Sequence, residues 1–175
     1  RTDSVAIIGA RRADKMGNEA AYNIGIECAK RGKVVISGLA LGCDGAAHRG
    51  CLDAHGETIA IVANGLDVVH PKEHEALQER IVKNGGLVLS EHPIGVNANP
   101  ARLVARNRLQ AALAEKVVVA QCPAKSGTMY TANFAEKYKK KMYAVAFTKD
   151  NEFNSGNKLL LQEQRALPTT KLWEL

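Results

Sequence analysis

Residues 37–48 bring together residue types that bind anionic or polar ligands. They read Ser-Gly-Leu-Ala-Leu-Gly-Cys-Asp-Gly-Ala-Ala-His and follow an apolar run that ends at Ile36. The glycines permit unusual backbone angles, Asp44 is predicted to be a helix N-cap, and the amides of such a loop can face an anion. The loop lacks the spacing of the common nucleotide loops, so its ligand stays open. Its predicted binding residues are Ser37, Gly38, Leu39, Gly42 and Asp44.

Six apolar runs alternate with helical patterns along the chain. Runs rich in Val, Ile, Leu and Ala are typical of parallel strands that are covered on both faces. They predict an α/β fold with one doubly wound, mainly parallel six-stranded sheet in a single domain over residues 1–175. The predicted strands are 5–9, 34–37, 58–63, 87–90, 117–120 and 143–147, and the predicted helices are 17–31, 44–55, 72–84, 104–115, 127–141 and 156–164.

Five of the six predicted strands are followed by a loop with glycine or polar side chains. The carboxyl ends of parallel strands share one edge of the sheet, which is where such folds bind ligands. Five such loops at one edge are a stronger signal than any single motif. Besides the loop at 37–48, the predicted binding residues at this edge are Gly9, Arg11, Asn64, Gly65, Glu91, Ser126, Gly127 and Thr128.

Arginines in the fourth predicted helix are candidates for contacts with an anion. Arg106 and Arg108 flank Asn107 there. Two interpretations stay open: a ligand-binding row formed by these three residues, or a solvated arginine face with an internal salt bridge. At the tip of the first strand, we expect Arg11 to reach the ligand and Arg12 to face solvent.

Nucleophilic catalysis has little support in the sequence. The five histidines are scattered, and no Ser or Cys lies in a nucleophile elbow. Asp44 and His48 are four residues apart and are expected to hydrogen-bond as a structural pair. Glu91 is the best lone general base, and it could equally hold Arg106 or a loop amide. We therefore predict no catalytic residue, no metal and no cofactor.

Composition restricts the class of protein further. The 175 residues carry 24 Lys and Arg against 18 Asp and Glu, a net charge of +6, which makes anionic partners plausible. No apolar run approaches the roughly 20 residues of a membrane span, and no signal peptide is visible. The four cysteines form no Cys-x-x-Cys pair, so we predict packing thiols in a cytoplasmic protein. Because the chain starts at Arg1 without Met, we expect some N-terminal sequence to be missing.

Several blocks together resemble the Rossmann-like domain of the DprA/Smf DNA-processing family. Residues 5–11 are similar to its first strand and Gly-Ser-Arg turn, and residues 37–44 are similar to its Ser-Gly-Leu-Ala-Arg-Gly-Ile-Asp signature. The resemblance runs from about residue 5 to about residue 162. Further matching blocks, in order, are 65–67, 70–71, 90–91, 106–108, 126–128 and 156–159.

This resemblance implies a DNA-processing protein that binds single-stranded DNA at the carboxyl edge of a Rossmann-like sheet. The family protects such DNA and passes it to the recombinase RecA during natural transformation, forms dimers, and is not known as an enzyme. The expected partners are therefore single-stranded DNA or a nucleotide, a RecA-like recombinase, and a second copy in a homodimer. The implied pocket residues are Arg11, Ser37, Gly38, Arg106, Asn107, Ser126, Gly127 and Thr128.

Departures from the family pattern support a second hypothesis. Leu41 replaces the usual Arg of the signature, and Pro100, Leu103 and Val104 occupy a region where the family typically offers a Lys and a Phe-Pro before the Arg-Asn-Arg. The chain therefore lacks a cation and a stacking ring at these positions. The alternative is a nucleotide-binding or nucleotide-sensing module, or a LOG-like phosphoribohydrolase. Residues 123–131 resemble the motif of those hydrolases, but Thr131 stands in place of the catalytic Glu, which ranks hydrolysis below binding.

Overall fold

Seven parallel strands form one sheet in a computed structural model that describes residues 3–174. The spatial order is β4-β3-β2-β1-β5-β6-β7. The strands are β1 Ser4–Ile8, β2 Val34–Ser37, β3 Thr58–Val62, β4 Leu87–Ser90, β5 Lys116–Val119, β6 Lys141–Ala144 and β7 Leu167–Pro168. The predicted doubly wound parallel fold is confirmed.

The predicted number of six strands is wrong, because β7 adds a seventh. This strand has two residues and pairs with β6 through Tyr143–Leu167 and Ala144–Pro168. A two-residue strand produces no apolar run in the sequence. Pro168 has no amide hydrogen to donate, which suits the outermost position of a sheet.

Six α-helices connect the strands, as the sequence predicts, with bounds shifted by a few residues. They are α1 Lys15–Lys30, α2 Cys43–Asp53, α3 Glu75–Lys83, α4 Pro100–Leu113, α5 Gly127–Lys137 and α6 Ser155–Gln162. The α4 helix begins four residues earlier than predicted because Asn99 Oδ1 caps the Arg102 amide at 2.9 Å and Pro100 occupies the first turn. No helix within residues 3–174 is long and apolar enough to cross a membrane.

The core lies on both faces of the central strands. On one face, Ala111 of α4, Ala132 of α5 and Leu160 of α6 pack against the sheet. On the other face, α1 and α2 pack through small residues such as Ala21 and Ala47. The four cysteines are buried in this core, as predicted, and burial raises the pKa of the Cys43 thiol to about 12. Cys43 is therefore a packing residue and not a reactive thiolate.

The predicted hydrogen bond between Asp44 and His48 is absent. His48 Nδ1 lies 2.7 Å from Thr58 Oγ1, and the Thr58 hydroxyl donates to the Val35 carbonyl at 3.0 Å. Because that hydroxyl proton is already used, Nδ1 must carry the hydrogen of the neutral ring. Burial of the ring, followed by the charges of nearby groups, lowers the His48 pKa to about 3.

This buried histidine predicts a loss of stability in mild acid. The unfolded chain protonates His48 near pH 6.5, whereas the folded chain does so only near pH 3, so the free energy of unfolding falls as pH falls between these values. Urea denaturation should show a contribution from His48 of roughly 2 kcal/mol between about pH 6.5 and about pH 4.5. His48→Asn should flatten this part of the profile, and an unchanged slope would contradict the assignment.

Candidate functional site

A cavity of about 480 Å³ lies beyond the carboxyl ends of β1 and β5. Its walls come from the loop after β1, the start of α2, one side of α4, the start of α5 and the turn at 152–153. A second cavity of about 300 Å³ adjoins it beyond β2 and β3 and shares Arg11 and Arg106 with it. The predicted gathering of polar loops is therefore found for four strands, while the loop after β4 lines neither cavity.

A buried carboxylate occupies the loop that the sequence assigns to an anion. Asp44 is 5% exposed, and its Oδ2 accepts the Gly38 amide at 3.0 Å. The prediction that Asp44 is a helix N-cap is wrong, since Gly42 holds that position and α2 has no side-chain cap. The loop amide is thus used within the chain, and Asp44 stands where a ligand anion was expected. Burial raises the Asp44 pKa, while the charge of Arg106 and hydrogen bonds oppose that rise.

Arg106 is the buried cation beside this loop. It is 5% exposed, and its Nη1 donates to the Gly38 carbonyl at 2.7 Å and to the Ile61 carbonyl. Its Nε donates to Asn107 Oδ1 at 3.3 Å. Nη2 makes no hydrogen bond to a described residue, and Arg106 lines both cavities.

Two glycines allow the loop to approach its neighbours closely. A Cβ on Gly38 would lie 2.2 Å from Gln110 Nε2 and 2.8 Å from Arg106 Cζ. Gly42 has φ +76°, and a Cβ there would meet the Ala10 carbonyl at 2.3 Å. The convergence of Gln110, Arg106 and Asp44 on the loop therefore requires glycine at position 38.

Positive charge concentrates on one wall of the cavity. Arg11 is exposed at the tip of β1, and no carboxylate pairs with it among the described residues. Its charge helps to lower the pKa of Arg106, after the larger effect of burial, so the two guanidinium groups repel each other. An anion bound between them would relieve that repulsion. Arg12 is exposed, as predicted, and it also lines the cavity.

The start of α5 supplies donors on another wall of the cavity. Gly127 and Thr128 are the first helical residues, and their amides have no acceptor within the described chain. The Ser126 Oγ is buried without a hydrogen-bond partner in this structure. A Cβ on Gly127 would meet nothing within 4 Å, so the space above it is open to a ligand. These features suit an anionic group.

One whole wall of the cavity was missed by sequence reasoning. Glu152 and Phe153 line the cavity from the short 3-10 turn Glu152–Asn154. A capping box closes this turn, with Asn151 Oδ1 accepting the Asn154 amide at 3.1 Å. Asn151 also donates to Asp14 at 3.3 Å, which ties the turn to the start of α1. A three-residue turn has no periodicity, and the one usable signal was the Asn-x-x-Asn capping pattern.

The other predicted site residues lie away from the two cavities. Glu91 and Arg108 form an ion pair with each other on the surface, so Glu91 holds Arg108 and not Arg106. Four further predicted residues line neither cavity. Those residues are Ser37, Leu39, Gly42 and Gly65. Within residues 3–174, no three His, Cys, Asp or Glu side chains gather to hold a metal.

The parallel sheet and the cavity beyond its carboxyl edge define a Rossmann-like α/β domain, with a cavity at the edge where such folds bind ligands. The chain belongs to the DNA recombination-mediator protein A family, whose model matches residues 1–175. It is 35% identical over 166 residues to the DNA processing protein DprA of Streptococcus pneumoniae, covering 95% of this chain and 58% of that protein. Protein Smf of Synechocystis is 33% identical over 171 residues, covering 93% of this chain and 43% of that protein. The chain therefore spans less than half of the Synechocystis relative.

Solved structures agree with the family assignment. DNA processing protein A from Streptococcus pneumoniae superposes with a TM-score of 0.90 at 32% identity, covering 99% of this chain and 62% of that one. The protein from Helicobacter pylori, described for its single-stranded DNA binding mode, gives a TM-score of 0.85 at 35% identity, covering 95% of this chain and 74% of that one. A molybdenum cofactor binding protein from Rippkaea orientalis shares the fold alone, with a TM-score of 0.66 at 18% identity, covering 96% of this chain and 89% of that one.

The contacts of Gly38 predict a sharp contrast between two glycines of the site. Gly38→Ala should lower the free energy of unfolding by about 2 kcal/mol, because its Cβ would collide with Gln110, Arg106 and Asp44. Gly127→Ala is the matched control and should be nearly neutral, since its Cβ enters open space. Chemical denaturation of both variants measures the difference, and equal stabilities would contradict the close packing around Gly38.

Proposed function

We propose that the cavity at the carboxyl edge binds a phosphate of single-stranded DNA, as part of a DprA-like DNA-processing protein. The observation that carries the proposal is the cavity itself, which combines Arg11 and Arg106 Nη2 with the free amides of Gly127 and Thr128. Cations and helix N-terminal amides are the donors that proteins use for phosphates. The single-stranded DNA binding mode described for the Helicobacter pylori relative supports the same ligand.

Phe153 supplies an aromatic surface for a base in this proposal. It is the one aromatic residue that lines the main cavity within the described chain. The α4 helix contains no aromatic residue, in the region where the family pattern offers Phe-Pro, so it supplies no ring. A base stacked on Phe153 would have its phosphate beside the hydrogen-bond donors of the cavity. Proteins that bind single strands commonly combine aromatic contacts to the bases with basic contacts to the phosphates.

The cellular setting of this binding domain is proposed from its family membership. Residues 1–175 act as one binding domain in the cytoplasm, without catalysis, in DNA uptake and natural transformation. They form a homodimer and pass the strand to a RecA-like recombinase. These partners rest on family membership, and the relatives extend well beyond the part that this chain covers.

A free nucleotide is the second candidate ligand. The cavity of about 480 Å³ is in the size range of small-molecule sites, and this observation favours a nucleotide-sensing role. Hydrolysis is less well supported, because the buried Thr131 lines the cavity where the related hydrolases place a carboxylate. Of the two carboxylates that line the cavity, Asp44 is buried and accepts the Gly38 amide, so the exposed Glu152 is the one that would have to replace it.

Salt dependence tests the DNA proposal. The affinity for labelled oligothymidylate should fall steeply with salt, and Arg11→Ala should reduce the slope of log K against log salt by about 0.7 for each phosphate that is no longer neutralised. Different sequences should weaken about equally, because a phosphate contact does not read bases. Arg49→Ala removes the same charge from α2, outside both cavities, and should behave as wild type. An affinity that does not change with salt would contradict the proposal.

Gly127→Val tests the donor wall of the cavity. Its side chain enters space that is empty in the protein, so the fold should survive while the phosphate can no longer approach the α5 amides. Oligonucleotide binding should then collapse with unfolding unchanged. Wild-type affinity in this variant would show that the strand binds elsewhere.

Turnover assays separate binding from hydrolysis. Incubation with nucleoside monophosphates should release no free base, since Thr131 cannot act as a carboxylate acid or base. Base release above that of Gly127→Val would overturn the binding-only proposal. In that case Glu152→Gln should abolish the release.

A further inference from the structure

A groove of about 470 Å³ adjoins the cavity on the far side of the α5 start. It shares Ser126 and Gly127 with the cavity and extends to Lys125, Tyr130 and Asn133. We call this region the α5 groove. Gly127 is exposed and lines both, and the space beside its Cα is empty to 4 Å, so no side chain blocks the passage at this residue. A chain-like ligand can therefore pass from one to the other across Gly127.

Tyr130 is an aromatic ring without a structural role in the described chain. It is 53% exposed and makes no hydrogen bond to any described residue. Every other aromatic side chain within residues 3–174 is buried or half-buried. Aromatic rings are usually buried because they contribute large apolar areas to the core, and an exposed ring beside a phosphate-binding loop resembles a base-stacking platform.

The charge around Tyr130 suits a phosphate backbone. Lys125 is exposed in the same groove and forms no ion pair with a described carboxylate. Arg165 lies beside the groove, where its Nη2 donates to Asn133 Oδ1 at 2.8 Å, but its charge is taken up by Glu136 and Glu163. Lys125 is therefore the unpaired cation of the groove, and no carboxylate is among the residues that line it.

We infer that a single strand bound in the cavity continues across Gly127 and stacks a second base on Tyr130, with a phosphate beside Lys125. This inference rests on the proposed function, because it needs the strand to occupy the cavity first. Phe153 and Tyr130 then form two stacking platforms on the two sides of the α5 start. The footprint is longer than the cavity alone, so the Tyr130 contact requires a probe longer than a dinucleotide.

The test measures how the affinity for oligothymidylate depends on the length of the probe and on the ring at position 130. Tyr130→Leu should weaken binding of an oligothymidylate of about ten nucleotides by roughly tenfold, as expected when one base no longer stacks. Tyr130→Phe should bind as wild type, because stacking needs the ring and not the hydroxyl. Binding of a thymidine dinucleotide should be unchanged in both variants. Tyr22→Leu is the control, since it removes a ring on α1 that lies in neither the cavity nor the α5 groove.

Several outcomes would overturn the inference, and they are distinguishable. If wild type binds the long probe and Tyr130→Leu binds it equally well, the strand does not reach the α5 groove although the proposed function stands. If Tyr130→Leu weakens long and short probes alike, Tyr130 acts through the fold. If wild type binds neither probe, the proposed function fails together with the inference.

A spectroscopic readout is independent of affinity. Tyr130→Trp adds a reporter to a chain whose single tryptophan, Trp173, stacks on Arg31 with 4.6 Å between the guanidinium carbon and the ring centre. The long probe should quench the new fluorescence, while the dinucleotide and wild type should show no such change. Absence of quenching when the long probe is bound would contradict stacking at this position.

Discussion

The buried arrangement of Asp44, Gly38 and Arg106 is the constraint on which the site depends. Arg106 fastens α4 to the ends of β2 and β3 through the Gly38 and Ile61 carbonyls, and Asp44 holds the Gly38 amide. Burying a carboxylate and a guanidinium is costly unless each makes compensating hydrogen bonds, and the loop supplies them. Glycine at position 38 leaves the space in which these groups converge.

This arrangement divides the polar groups at the sheet edge into two sets. Asp44 satisfies the Gly38 amide, so the loop after β2 serves as scaffold. The donors that have no partner in the described chain lie on the other walls of the cavity. They are Arg11, Arg106 Nη2 and the amides at the start of α5. In the proposed function, these unpaired donors at the cavity would bind the anion through α5 and the arginines, while the loop after β2 holds α4 in place.

The sequence predicts the parallel sheet well because buried parallel strands produce continuous apolar runs. It does not predict which side of α4 faces the core, because the apolar residues of this helix do not lie on one face. Val104 and Leu113 are exposed, whereas Arg106 is buried. From the sequence, Arg108 was therefore as good a candidate for binding an anion as Arg106, although it lies on the surface in an ion pair with Glu91. Phe153 and β7 were missed because a short turn and a two-residue strand carry no periodic pattern.

Amide chemical shifts during titration with a short oligothymidylate test the central claim most directly. The account predicts that the largest shifts fall on Gly127 and Thr128 and on the loop that carries Arg11, since these groups face the cavity. The lysine-rich end of α5 and start of β6, at 137–141, lies at the opposite edge of the sheet and should shift little. Shifts concentrated at 137–141, with the α5 start unchanged, would contradict the account.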